Sequence, residues 1–68
     1  MWWRRRSRRV VVHTKENGPS FEGVLTGMEA GHYVVAACQL LESADASHAL
    51  DGDVWIPREN VLHVQVIR

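Results

Sequence analysis

Ser20-Phe21-Glu22-Gly23-Val24-Leu25-Thr26-Gly27-Met28, followed after Glu29-Ala30-Gly31 by His32-Tyr33-Val34-Val35-Ala36-Ala37-Cys38-Gln39-Leu40-Leu41, decides the fold. In the first segment Phe21, Gly23 and Leu25 alternate with Glu22, Val24 and Thr26. That period of two is the pattern of a half-buried strand. Gly23 and Gly27 predict sharp curvature or close backbone approach, as at the bend of a small barrel. The second segment is apolar almost throughout, as in a strand covered on both faces, and is the expected central strand. Residues 36–42 also suit a helix, but Tyr33, Val34 and Val35 favour a strand.

Residues 10–15 are β-branched and read as the first strand, and Glu16-Asn17-Gly18-Pro19 as a turn with Asn-Gly supplying positive φ. Downstream, residues 43–48 read as a polar loop, residues 49–53 close it, and Asp51-Gly52 is a tight turn. Val54-Trp55-Ile56 is a short strand ended by Pro57. Arg58-Glu59-Asn60 is a one-turn link, and residues 61–67 form the last strand. Five short strands with tight turns predict an all-β fold, a five-stranded small barrel of residues 10–68 behind a basic N-terminal arm, residues 1–9.

The chain has 68 residues, enough for one domain with a thin core. Its one cysteine, Cys38, excludes an internal disulfide and reads as a buried, inert thiol. Further stability is expected from self-association or from docking on a larger partner. The net charge of zero hides an asymmetry. Arg4, Arg5, Arg6, Arg8 and Arg9 give the arm +5, while three bases and eight acids leave the body at −5. Such a division points to an interaction tail. The apolar run after the arginines is only Val10-Val11-Val12, too short for a signal peptide, and no segment approaches a membrane span. A soluble protein that is not secreted is expected.

The pattern Phe21-x-Gly23-x-Leu25, then Glu29, then His32-Tyr33-Val34-Val35 resembles the first motif of Sm and Sm-like proteins. Asp51-Gly52-Asp53-Val54-Trp55-Ile56-Pro57-Arg58-Glu59-Asn60-Val61 is similar to the second, in which a strand, a short turn and a final strand close the barrel. SH3-like barrels share that ending, so an Sm-type and an SH3-type strand order both remain open. The resemblance implies a small barrel whose strand edges are available for self-pairing. It does not carry over the uridine pocket. Tyr33 stands where the family has Asn, no glycine follows Arg58, and the family's N-terminal helix has no counterpart. The Trp2-Trp3-Arg4 start and the Val54-Trp55-Ile56-Pro57-x-Glu59-Asn60-Val61 ending also resemble short barrel proteins encoded among the structural genes of tailed actinobacteriophages. That likeness implies a virion accessory protein, a minor capsid or head component.

The arm is the strongest functional signal. Its arginines suit bidentate contacts to phosphate or carboxylate, and Trp2 and Trp3 can stack on bases or fill pockets in a protein. Trp55 points opposite to Val54 and Ile56, so it marks a contact surface if those two fill the core, and is packing if it closes the barrel end. The spacing of His13, His32, His48 and His63 matches no metal motif; His13 and His63 fall on strands that can be neighbours, which is the one arrangement that would favour a metal site, but all four read as ordinary strand histidines. Ser43, Asp45, Ser47 and His48 share a loop but bring neither a rigid base nor an oxyanion hole. Neither catalysis nor a metal or cofactor is expected. The expected function is a structural module anchored by Trp2, Trp3, Arg4, Arg5, Arg6, Arg8, Arg9 and Trp55 on a larger protein assembly, a phage capsid or head being the one the resemblance suggests. The virion would then be its location. The alternative is an Sm-like nucleic-acid-binding protein whose arm contacts phosphates. Self-association fits either reading.

Overall fold

The computed structural model describes residues 8–43 and 46–67. They form β1 (Arg8–Thr14), β2 (Ser20–Glu29), β3 (His32–Ser43), β4 (Ala46–Ala49), β5 (Val54–Pro57), a 3-10 turn (Arg58–Asn60) and β6 (Val61–Val66). The fold is all-β, and β3 runs through the stretch that also suited a helix. β1 starts at Arg8, so Arg8 and Arg9 belong to the sheet rather than to the arm.

Every pairing is antiparallel, in the order β4-β3-β2-β1-β6. β3 has β2 along one side, with β5 on His32–Val35 and β4 beside Gln39–Ser43 along the other. The expectation of five strands is corrected to six. The added strand, Ala46-Ser47-His48-Ala49, is exposed at all four positions, so no burial period marks it in the sequence. Barrel closure is corrected as well, because β5 and β6 are not paired.

The sheet nevertheless curls. Laid flat, β5 and β6 would lie four strand spacings apart, about 19 Å. The chain from Pro57 to Val61 spans at most about 14 Å. The short link therefore holds the two edges closer than a flat sheet allows. Curvature also puts Val54 and Ile56 of β5 and Val61 and Val64 of β6 around one core with Val10, Val12, Val35 and Cys38.

Two register shifts bend β2 against β3. Between Glu22↔Gln39 and Val24↔Ala36 the extra residue is on β3, where Ala37 takes φ 49°. Between Leu25↔Val35 and Gly27↔Val34 it is Thr26 of β2, whose hydroxyl donates to the Val34 carbonyl at 3.3 Å. Such bulges increase local twist. At the first shift the backbones approach closely, since a Cβ on Gly23 would lie 2.7 Å from the Ala36 oxygen and 2.6 Å from Val35 Cγ1.

The first turn differs by one residue from its reading in the sequence. Gly18 N–H donates to the Lys15 carbonyl at 2.9 Å, so the two central residues are Glu16 and Asn17, with φ of 56° and 59°. Two positive φ values in a tight hairpin suit the right-handed strand twist. Ala30 and Gly31, at 49° and 74°, repeat the arrangement between Glu29 and His32.

Among the described residues six apolar side chains are buried: Val10, Val12, Val34, Val35, Cys38 and Ile56. This core is as thin as the chain length implies, with small side chains and, among the described residues, no large aromatic fully inside it.

Candidate functional site

Trp55 sits in the middle of β5. Its neighbour Ile56 is 3% exposed and Val54 packs against the core, so the strand's alternation turns Trp55 outward, where it is 49% exposed. It therefore does not close the core. Its indole lies beside His32, with ring centroids 5.6 Å apart.

At the other edge, β6 pairs with β1 alone among the described strands. Val66 is opposite buried Val10, so it faces the core side, yet it is 46% exposed because no described strand covers it. Leu62 is the extra residue of a bulge between His63 and Val61, which pair with His13 and Thr14. It is 63% exposed, and Ile67 adds a third exposed apolar side chain at the strand end. This apolar edge was not foreseen. The reading of residues 61–67 as a strand does not reveal the bulge at Leu62.

Between the first turn and β5 runs an open groove of about 600 Å³. Phe21, Val54 and Ile56 supply its apolar lining, and Lys15, Glu16 and Glu59 its charged lining. Its size is ordinary for a ligand cleft.

The opposite face of β1, β2 and β6 is polar. Arg9 and Glu22 form an ion pair at 3.0 Å, with side chains 63% and 28% exposed. At that exposure the pair stabilises by at most about 1 kcal/mol. His13 Nδ1 is 3.1 Å from Ser20 Oγ, and His13 Nε2 is 3.3 Å from Gln65 Oε1. The His63 ring lies 4.5 Å from that of His13, centroid to centroid. The sequence suggested neighbouring strands for His13 and His63, but it did not bring Ser20 and Gln65 to them, because that depends on the β1–β6 and β1–β2 registers.

Of the residues expected to bind a partner, Trp2, Trp3, Arg4, Arg5 and Arg6 lie outside the described residues. Arg8 is exposed on β1, Arg9 is tied to Glu22, and Trp55 stands on the outer face of β5. Of Ser43, Asp45, Ser47 and His48, Asp45 lies outside the described residues, and His48 Nε2 contacts Glu42 at 2.9 Å on neighbouring strands. Cys38 is 1% exposed, and burial pushes its thiol pKa up. It is therefore a protonated core residue rather than a nucleophile.

No protein-family model matches the chain, and no curated protein sequence does. One solved structure with a similar fold is a chain in the crystal structure of the NatC complex bound to CoA. The likeness has a TM-score of 0.73 at 18% identity, over 90% of this chain and 77% of that one. At such identity it shows the fold alone.

Proposed function

We propose that this chain is a non-enzymatic interaction module that docks on a larger protein assembly. The observation that carries the reading is the exposure of Trp55, Leu62, Val66 and Ile67 on a sheet with unpaired edges among its described strands. An exposed tryptophan is a frequent energetic anchor of protein interfaces, and an uncovered apolar strand edge invites a partner's backbone. The thin core gives the same reading a second basis, since a small domain gains stability when its surface is covered. The similarly folded chain in the NatC complex structure is a precedent for this fold within a multi-chain particle.

The assembly suggested by the Trp2-Trp3-Arg4 start and the Val54–Val61 motif is a phage capsid or head, with the arm as a second anchor. Particles made without this chain should form, yet fall apart at a lower temperature than complete ones. Equal resistance to heating with and without the chain would remove the virion reading. A purified particle that takes up the parent chain but not Trp55→Ala would support docking through the outer face of β5.

A further inference from the structure

We propose that His13, His63 and Gln65 form a surface site for a borderline divalent cation, of which Zn²⁺ is the probe. The site is made by register. His13 of β1 and His63 of β6 are direct cross-strand partners, and their rings stand 4.5 Å apart with planes tilted by 39°. The bulge that expels Leu62 begins next to this pair, and bulges beside functional sites re-aim side chains.

The hydrogen bonds around His13 fit a ligand role. When Nδ1 carries the proton, it donates to Ser20 Oγ, 3.1 Å away. Histidine ligands are commonly held in this way by an outer partner that fixes tautomer and ring orientation. In that tautomer the Nε2 lone pair faces Gln65 Oε1 at 3.3 Å; in the other, the Ser20 hydroxyl donates to Nδ1 and Nε2–H donates to Gln65 Oε1. The first tautomer leaves the Nε2 lone pair free to take a metal ion where the second carries a proton. Two donor atoms each about 2.0–2.2 Å from one metal ion, at tetrahedral or octahedral angles, stand about 3.0–3.5 Å apart. The 3.3 Å separation therefore matches one edge of a coordination shell. It is also long for an N–H···O hydrogen bond, which centres near 2.9–3.0 Å. The His63 ring, its centroid 4.5 Å from that of His13, is the second imidazole offered to such a cation. His63 is exposed and His13 partly so, which leaves the remaining positions to water. Two imidazoles and an amide oxygen suit Zn²⁺, Ni²⁺ or Cu²⁺ better than Ca²⁺ or Mg²⁺.

The test is a Zn²⁺ titration of the full chain, read by calorimetry and by the ¹⁵N resonances of the imidazole rings. One equivalent should shift the His13 and His63 ring nitrogens together. His13→Gln and His63→Gln should each weaken binding at least tenfold, and Ser20→Ala about tenfold through loss of ring orientation. Backbone spectra like the parent's would show that these surface variants are folded. His48→Gln, which removes the partner of Glu42, should leave affinity unchanged. The site would be overturned by parent-like affinity in both His13→Gln and His63→Gln, by loss of binding in His48→Gln, or by no binding up to about 1 mM Zn²⁺.

Discussion

Trp55 lies against His32 on the outer face of the sheet, ring centroids 5.6 Å apart, while its neighbour Ile56 is buried at 3% exposure. One residue step along β5 thus separates core from contact surface. Trp55→Ala should cost stability within about 1 kcal/mol, because half of the side chain is already in solvent. It should sharply weaken docking on the partner assembly. Urea unfolding alongside particle uptake separates the two effects. A large loss of stability would make Trp55 a packing residue instead.

The edge strand makes a separate prediction. Leu62 is 63% exposed at the β6 bulge, so Leu62→Lys should change stability by less than about 0.5 kcal/mol. A lysine on an open strand edge opposes pairing with another chain. Any concentration-dependent self-association of the parent in sedimentation velocity should therefore diminish in this variant. Unchanged association would place the self-contact elsewhere.

Gly23 answers to packing alone. Its absent Cβ would meet the Ala36 carbonyl oxygen at 2.7 Å, and backbone cannot yield as a flexible side chain does. Gly23→Ala should destabilise by about 1–3 kcal/mol in urea melts. Ala37, at φ 49° on the facing bulge, has the opposite expectation. Ala37→Gly should be neutral or stabilising by up to about 1 kcal/mol, since glycine occupies positive φ without a Cβ penalty.

Cys38 is 1% exposed and burial raises its pKa, so the folded chain disfavours the thiolate. Below the ordinary thiol range, about 8.5, both folded and unfolded thiols are protonated and the shift has no effect on their balance. Above it the unfolded thiol loses its proton first, and the fold loses stability as pH rises toward the raised pKa. The urea midpoint should fall between about pH 7 and about pH 10, and fall less in Cys38→Ala. Alkylation of Cys38 at neutral pH should be slow until the chain is unfolded.

Much of the sheet is legible in the sequence because alternation and turn residues are local signals. Phe21-x-Gly23-x-Leu25 marked β2, the apolar run from Tyr33 marked β3, and the residues flanking Trp55 set its direction once Ile56 was found buried. β4 escaped because none of its four side chains is buried. The positive φ at Glu16 depends on which carbonyl Gly18 N–H reaches, a choice that the dipeptide Asn-Gly does not reveal. Neighbouring strands for His13 and His63 could be read from the sequence, but their direct pairing and the exposed Leu62 both follow from the β1–β6 register, with its single extra residue. Register is a relation between distant segments, so reading either strand alone could not supply it.

Docking on protein rather than on phosphate is tested most directly by binding of RNA and duplex DNA across a salt series. The chains to compare are the full protein and a form lacking residues 1–7, which leaves Arg8 and the Arg9–Glu22 pair in the sheet. The expected result is no binding near physiological salt by either form. Binding that falls steeply with salt, at a log–log slope of about −0.7 to −0.9 per phosphate neutralised, and that vanishes with residues 1–7, would contradict it and make the chain a nucleic-acid-binding protein.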